Sequence, residues 1–283
     1  MTSVPRVVVT NDDGIDAPGL AELAAAAVAA GLDVTVVAPD EEASGASAGL
    51  SAVYREGKLA LHQAELPGLD IPVYCVQASP SYIAILAGLG TFGRRPELLL
   101  SGINRGANAG HAIVHSGTVG AAFTAANYGI RAMAVSLDVL DAATADPATG
   151  GATLVDQLAR LRDDDLHWDT AGTVVRRLLP LLDDLPEDTI LNVNVPNRPL
   201  RTVAGIRQVG LAPFGQVRMA VAESGANYVR ITIEAATDRR LHGTDIGALA
   251  DGYVSVTPIG TMRALDLDLP LPSSTVDIVD TVD

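Results

Sequence analysis

The chain has a single cysteine, Cys75, among its 283 residues. No intramolecular disulfide can form, and a thiolate cluster around a metal is excluded. Cys75 lies in the apolar run Ile71-Pro-Val-Tyr-Cys-Val76, where a buried structural thiol is expected. Positive charge is also scarce: 19 Lys and Arg stand against 34 Asp and Glu, a formal net charge of −15. Without a dense basic run, the chain is not expected to track polymeric nucleic acid, because that binding depends on cations displacing counterions. The same charge repels an anionic substrate, so phosphate chemistry here needs a bound cation to reverse the local sign.

Long hydrophobic runs are missing too. The most apolar window, Leu20 to Ala38, is interrupted by Glu22, Gly31 and Asp33 and reads as helix, turn and strand, so no membrane span is expected. Met1-Thr-Ser-Val-Pro-Arg6 leads into a strand without the apolar core of a signal peptide, which points to the reducing cytoplasm. His62, His111, His167 and His242 have no zinc-ligand spacing. No Gly-x-Gly-x-x-Gly follows the first strand, which speaks against a dinucleotide-dependent dehydrogenase.

What is present is an alternation of strands and helices. Hydrophobic residues make up 48% of the chain and charged residues 19%, enough for a sizeable core. Arg6 to Thr10 and Val34 to Ala38 are apolar at nearly every position, as strands buried on both faces are. Leu20, Leu23, Ala24, Ala27 and Val28 recur between them at helical spacing, which makes a βαβ unit. The alternation continues with strands at 73–77, 97–101, 131–136 and 190–195, and helices at 80–89, from 117, and at 171–182. Residues 137–151 read as a solvent loop. Beyond about residue 200 the pattern turns to strands, with a hairpin at 217–221 and 228–233 and a strand at 253–257. The expectation is an α/β protein: a doubly wound, mostly parallel sheet in three αβα layers spanning 1–200. A β-rich extension at 201–283 is suited to oligomerisation.

In such sheets ligands bind beyond the carboxyl ends of the strands, so the residues after each strand are the informative ones. Asn11-Asp12-Asp13-Gly14 follows the first strand, and two adjacent carboxylates suit a hard, oxygen-seeking cation. Ser44 follows the second, in Pro39-Asp-Glu-Glu-Ala-Ser44-Gly45. Gly102-Ile-Asn104-Arg-Gly106-Ala-Asn108-Ala-Gly110 follows the strand ending at Ser101; its glycines permit close backbone approach and its asparagines offer neutral donors. His115-Ser116-Gly117-Thr118 then opens an amphipathic helix, whose free N–H groups and hydroxyls make a phosphate cradle. Each cluster alone is compatible with an ordinary turn or cap; four on one rim are not. His115 is placed either to protonate a leaving oxygen or to pack locally.

Asn11-Asp-Asp-Gly-Ile-Asp-Ala-Pro-Gly19, Ala38-Pro-Asp40 before Ser44-Gly45, Ser101-Gly-Ile-Asn104 and Ser116-Gly-Thr-Val-Gly-Ala-Ala122 resemble the signature blocks of the SurE survival-protein family of 5′/3′-nucleotidases. Leu191-Asn-Val-Asn-Val-Pro196 and Asp251-Gly-Tyr-Val-Ser-Val-Thr-Pro258 resemble its later blocks, and the likeness runs from about Arg6 to Leu267. The resemblance implies a Rossmann-like core and one divalent cation per subunit, Mg²⁺ or Mn²⁺, on Asp12, Asp13, Ser44 and Asn104. It also implies phosphate binding at Asn108, Ser116, Gly117 and Thr118, and a homodimer or homotetramer.

The implied reaction is hydrolysis of nucleoside 5′- or 3′-monophosphates to nucleoside and phosphate, with Asp12, Asp13 and Asn104 catalytic. Whether water attacks phosphorus or an aspartyl-phosphate forms stays open. Two segments depart from the family pattern: Ala78-Ser-Pro-Ser-Tyr-Ile83 stands where Gly-Thr-Pro, an acidic residue and cysteine are usual, and Ser47-Ala-Gly-Leu50 where Ser-His-Ser-Leu is frequent. They keep two alternatives in view: the same chemistry on another phosphorylated metabolite, and a non-catalytic nucleotide-binding regulator.

Overall fold

The three valines of the first strand divide between two cores, and that division organises the molecule. A strand projects successive side chains to opposite faces, so a strand apolar at every position must be covered on both. Val7 and Val9 enter one core with Leu20, Leu23, Met133 and Trp168, while Val8 enters the other with Ile83, Leu99, Val119 and Ala122. A computed structural model describes residues 4–42, 47–140, 161–225, 227–235, 241–262 and 264.

The strands are β1 (Arg6–Thr10), β2 (Asp33–Pro39), β3 (Tyr54–Arg55), β4 (Lys58–Leu59), β5 (Leu61–Gln63), β6 (Val73–Val76), β7 (Leu98–Arg105), β8 (Arg131–Asp138), β9 (Thr189–Pro196), β10 (Ile206–Gln208), β11 (Val217–Gly225), β12 (Tyr228–Ala235) and β13 (Val254–Gly260). The helices are α1 (Pro18–Ala29), α2 (Pro80–Gly88), α3 (Gly117–Asn127), α4 (Trp168–Leu178) and α5 (Asp245–Ala250). Nine strands form one sheet in the order β10-β13-β9-β8-β7-β1-β2-β6-β5. The six from β9 through β6 are parallel, while β5 runs antiparallel to β6 and β13 antiparallel to β9, with β10 parallel to β13 at the edge. With helices packed on both faces, this is the expected Rossmann-like α/β architecture.

The chain builds outward from β1 to β2 and β6 on one side, then returns to lay β7, β8 and β9 on the other. The order therefore reverses between β1 and β7, and a cleft opens at their carboxyl ends. Asp12 and Asp13 follow β1, and Asn104 lies at the end of β7.

Three boundaries differ from expectation, each for a local reason. β7 runs on to Arg105 rather than ending at Ser101, with a register shift between Ser101 and Asn104. Gly102, at φ 131°, lets it pass: a Cβ there would lie 2.2 Å from the Val135 carbonyl. The solvent loop expected from residue 137 begins later, because Leu137 and Asp138 continue β8 and are buried; its remainder from 141 lies outside the described residues. The helix expected to reach residue 182 becomes a 3-10 turn at Leu179, since Pro180 has no N–H to carry the helix on. Beyond residue 200, β10 and β13 join the main sheet, β11 and β12 form the antiparallel hairpin, and α5, which was not anticipated, is capped by the Thr244 side chain.

Alanine sets the helix–sheet spacing. Ala122, Ala125 and Ala126 of α3 meet Ala132 and Ala134 of β8, so that helix lies close on the sheet. On the opposite face a Cβ at Gly19 would fall 2.1 Å from the Ile103 carbonyl, so α1 rests directly on the segment leading to Asn104. We expect Gly19→Ala to lower stability by about 1–3 kcal/mol through overpacking. Gly260→Ala, with nothing within 4 Å of its added methyl, should stay within about 0.5 kcal/mol of the parent. Urea unfolding midpoints check both.

Candidate active site

At the end of β1 the chain turns through Asn11, whose Nδ2 donates to the Gly14 carbonyl at 2.8 Å. Gly14 takes φ 99°, a conformation that L side chains rarely adopt, and the turn presents Asp12 and Asp13 to the cleft. Asp12 is 4% exposed and lies against the start of α3. Its Oδ1 accepts from the Thr118 hydroxyl at 2.6 Å and its Oδ2 from the Thr118 amide at 3.2 Å. A negative charge at a helix N-terminus is favoured by the unpaired amides and the helix dipole. The approach requires glycine at 117, where a Cβ would lie 2.7 Å from Asp12 Oδ2.

The pair is nonetheless electrostatically uncomfortable. Burial raises the Asp12 carboxyl above the usual carboxylate range, its bonds to Thr118 opposing part of that rise. Asp13 is pushed up to about 7, first by burial and then by the charge of Asp12; the Arg105 amide, donating to its Oδ2 at 3.3 Å, pulls the other way. Glu42 adds further repulsion. Asn104 precedes Arg105, whose amide reaches Asp13, near the end of β7; its Nδ2 donates to the Gly106 carbonyl at 2.7 Å, so the side-chain oxygen is the atom left to act as a ligand. Ser44 lies outside the described residues. Among the described residues no group of three or more His, Cys, Asp or Glu could hold a metal, so a cation here would need neutral oxygens beside the two carboxylates.

Of the residues expected at phosphate, Gly117 and Thr118 lie against this cluster. Ser116 caps α3, its Oγ accepting from the Val119 amide at 3.1 Å. Thr118 directs both of its donors at Asp12. His115 is exposed, one residue before the cap. Asn108 is immobilised: its amide donates to Asn194 Oδ1 at 2.8 Å, its Nδ2 to Ser136 Oγ at 2.9 Å, and its carbonyl accepts from Asn192 and Asn194 at 2.8 and 2.9 Å. Arg105 forms an ion pair with Asp163 at 3.2 Å.

Sequence reasoning passed over the residues that anchor this loop. Asn192 and Asn194 are fully buried in β9, and their signal was two polar residues with i, i+2 spacing in an otherwise apolar strand. Asp245, also fully buried, accepts from the amides of Gly110 and Ala212 at 2.7 and 2.9 Å and so ties the far end of the loop to residue 212. The two segments that depart from the family pattern prove to be neighbours. Ser79 donates to the Gly49 carbonyl at 2.7 Å, and a Cβ at Gly120 of α3 would meet the Ser47 carbonyl at 2.6 Å.

Replacing Asn194 by alanine removes both partners that its side chain supplies to the Asn108 backbone. We expect a loss of about 1–3 kcal/mol, read as a lower unfolding midpoint, together with faster hydrogen exchange at the Asn108 amide.

Comparison with known proteins agrees with this geometry. The family model described as Survival protein SurE matches residues 7–219. The chain is similar to a 5′-nucleotidase SurE from Symbiobacterium thermophilum, 38% identical over 257 residues that cover 89% of this chain and 91% of that protein. It is also similar to a 5′/3′-nucleotidase SurE from Edwardsiella ictaluri, 32% identical over 90% of this chain and 89% of that one. The crystal structure of the SurE protein from Aquifex aeolicus superimposes with a TM-score of 0.68 and 27% identity, covering 98% of each chain. A matched model over most of the chain, and relatives aligned almost end to end, make this protein a member of the SurE survival-protein family.

Proposed function

We propose that this protein is a phosphoric monoester hydrolase that converts nucleoside 5′- or 3′-monophosphates to nucleoside and phosphate with the help of a divalent cation. The observation that carries the reading is the pair of a buried Asp12 and a half-buried Asp13 at the point where strand order reverses, with the N-terminus of α3 against Asp12 and Asn104 near the end of the adjacent β7. The names of its relatives as 5′-nucleotidases agree with it.

The residues fit a hard cation. Asp12, Asp13 and Asn104 offer only oxygen, and two crowded carboxylates gain from a positive charge between them. Nearby, Asn11 Oδ1, Thr10 Oγ1 and Ser101 Oγ are buried with no hydrogen-bond partner among the described residues, a further set of polar atoms at the strand ends. Ser44 completes the proposed set. Such a cation, Mg²⁺ or Mn²⁺, supplies charge neutralisation on phosphate and a lowered pKa for water.

The protein's own part is positioning. Thr118 holds Asp12 in one rotamer through two hydrogen bonds, so the carboxylate needs no rearrangement as the ester arrives. The Ser116 hydroxyl and the Gly117 amide, at the start of α3, meet the charge that spreads over the transferred group. Asn108 borders the same space from a loop that β9 keeps rigid. We assign Asp12 or Asp13 to orient the attacking water, and His115, from the rim, to donate to the leaving oxygen. Cytoplasmic residence fits the lone cysteine, and among the described residues no helix is long and apolar enough to cross a membrane. Self-association as a homodimer or homotetramer through the hairpin fits the exposure of Val221, Tyr228 and Val229.

Two outcomes test the reading. Asp12→Asn should retain the fold and lose at least about 100-fold in phosphate release from nucleoside monophosphates with Mg²⁺ or Mn²⁺, with EDTA abolishing the wild-type rate. Unchanged release in that variant contradicts the assignment. The second concerns pH. A carboxyl whose value is raised to about 7 in the folded protein binds its proton more tightly folded than unfolded. Its contribution to stability is therefore full below its unfolded value near 4 and is lost as pH rises towards 7. In EDTA the melting temperature of the wild type should fall across that window more than that of Asp13→Asn. Added Mg²⁺ or Mn²⁺ should raise it more at pH 8 than at pH 5; equal effects at both pH values count against a cation at Asp13.

A further inference from the structure

The helices α2 and α3 each follow a parallel strand, β6 and β7, so both begin at the carboxyl-end rim of the sheet. They lie side by side on one face, with Ile83, Ala84 and Ala87 in the same core as Val119, Ala122 and Ala126. Their first turns meet at Ser47, whose carbonyl accepts from Ser81 Oγ at 3.5 Å and would lie 2.6 Å from a Cβ at Gly120. Their last turns meet where a Cβ at Gly88 would fall 2.8 Å from the Tyr128 ring. The start of α2 therefore stands one helix spacing, about 8–10 Å, from the start of α3 at Ser116 to Thr118.

A pair of tyrosines occupies that position. Residues 51–53 lie along 77–79, with the Ser79 amide donating to the Ser51 carbonyl at 2.8 Å and the Val53 amide to the Gln77 carbonyl at 2.9 Å. This pairing delivers Tyr54 to Tyr82, which sits in the first turn of α2 with its amide donating to the capping Ser79 Oγ at 3.4 Å. The two hydroxyls share a hydrogen bond, and the rings stand edge to face, with 6.4 Å between centroids and 76° between planes. Although the pair is held at both backbone and hydroxyl, Tyr54 stays 51% exposed, and Leu50 and Val53 beside it are more than half exposed as well. Val114 is also exposed, and its carbonyl accepts from Ser47 Oγ, which brings it to the same segment. Apolar and aromatic surface left open at the rim of a polar cleft suits the uncharged part of a ligand. Tyr82 and Leu50 belong to the two segments that depart from the family pattern, so this surface is particular to the chain and not to the blocks it shares with the family.

We propose that Tyr54 and Tyr82 form the platform on which the base of the nucleotide stacks, one ribose away from phosphate at the start of α3; the assignment rests on the nucleotidase reading above. An aromatic platform accepts any base through its π face and reads none of the base edges. The pair is then specificity-determining, separate from the cation and phosphate groups, and favours a nucleoside over a simple alcohol as the leaving group.

The test uses the full-length chain with Tyr54→Ala, Tyr82→Ala and the ring-retaining Tyr82→Phe. Steady-state constants for nucleoside 5′-monophosphates and for methyl phosphate are measured with Mg²⁺ or Mn²⁺, and binding of unphosphorylated nucleosides by equilibrium dialysis. The ratio of kcat/KM for nucleotide over methyl phosphate should fall about 10-fold in each alanine variant, carried by KM, and stay within about 3-fold of the wild type in Tyr82→Phe. An unaltered ratio in both alanine variants, a parallel fall for both esters, or a fall in Tyr82→Phe as deep as in Tyr82→Ala overturns the proposal. Sedimentation velocity reads the other occupant: alanine variants that run as a smaller species with the ratio unaltered make the surface a contact between copies, which also overturns it. If the wild type releases phosphate from no ester, the hydrolase reading fails and dialysis decides the platform alone. Weaker nucleoside binding by both alanine variants sustains it, while absent or equal binding rejects it.

Discussion

Two carboxylates side by side in a buried strand end repel each other and lose hydration together, and much of this molecule can be understood as support for that arrangement. The start of α3 offers Asp12 an amide and a hydroxyl from Thr118, and the Arg105 amide reaches Asp13. Each lowers the cost of the charges without abolishing it, as the value near 7 at Asp13 records. Fully neutralising them with fixed cationic side chains would leave little attraction for a metal; leaving them unsupported would protonate both. The observed compromise keeps two acidic groups together, one buried and one half-buried, at a strand end.

That requirement also explains the contrast between the whole chain and the cleft. A protein of formal charge −15 offers an anionic ester no general attraction. On the proposed function recognition falls to short-range groups, and those available there are the helix start at Ser116 and Gly117, a loop fixed by hydrogen bonds, and neutral amides of asparagine. The polar side chains behind them satisfy backbone groups of the loop and so hold it in one arrangement.

Much of the architecture was legible because buried parallel strands are apolar at nearly every position, and each is followed by a short punctuated segment. Residues 6–10, 34–38 and 131–136 were readable on that ground, and the hairpin through its turn residues. The strand-end clusters holding Asp12, Asn104 and Ser116 were readable because doubly wound sheets bind at those ends. What escaped were features created by tertiary pairing. The extension of β7 past Gly102 depends on how closely β8 passes, which no local pattern encodes. Asp138 fell in the segment read as a solvent loop, yet it is buried, held by the Leu140 amide and the Gln216 side chain, and Asp245 is buried because the amides of Gly110 and Ala212, distant in sequence, converge on it.

Asn192 and Asn194 carry one more implication, for how the sheet reaches its correct alignment. Both project from the same side of β9 and both grip the Asn108 carbonyl, while Val193 between them belongs to the apolar core on the other side. Slipping β9 by one residue against β8 would turn the valine towards the loop and drive two amides into oil. The polar pair therefore acts as a checksum on strand registration: a sheet assembled one step out of phase cannot also anchor the loop at Asn108.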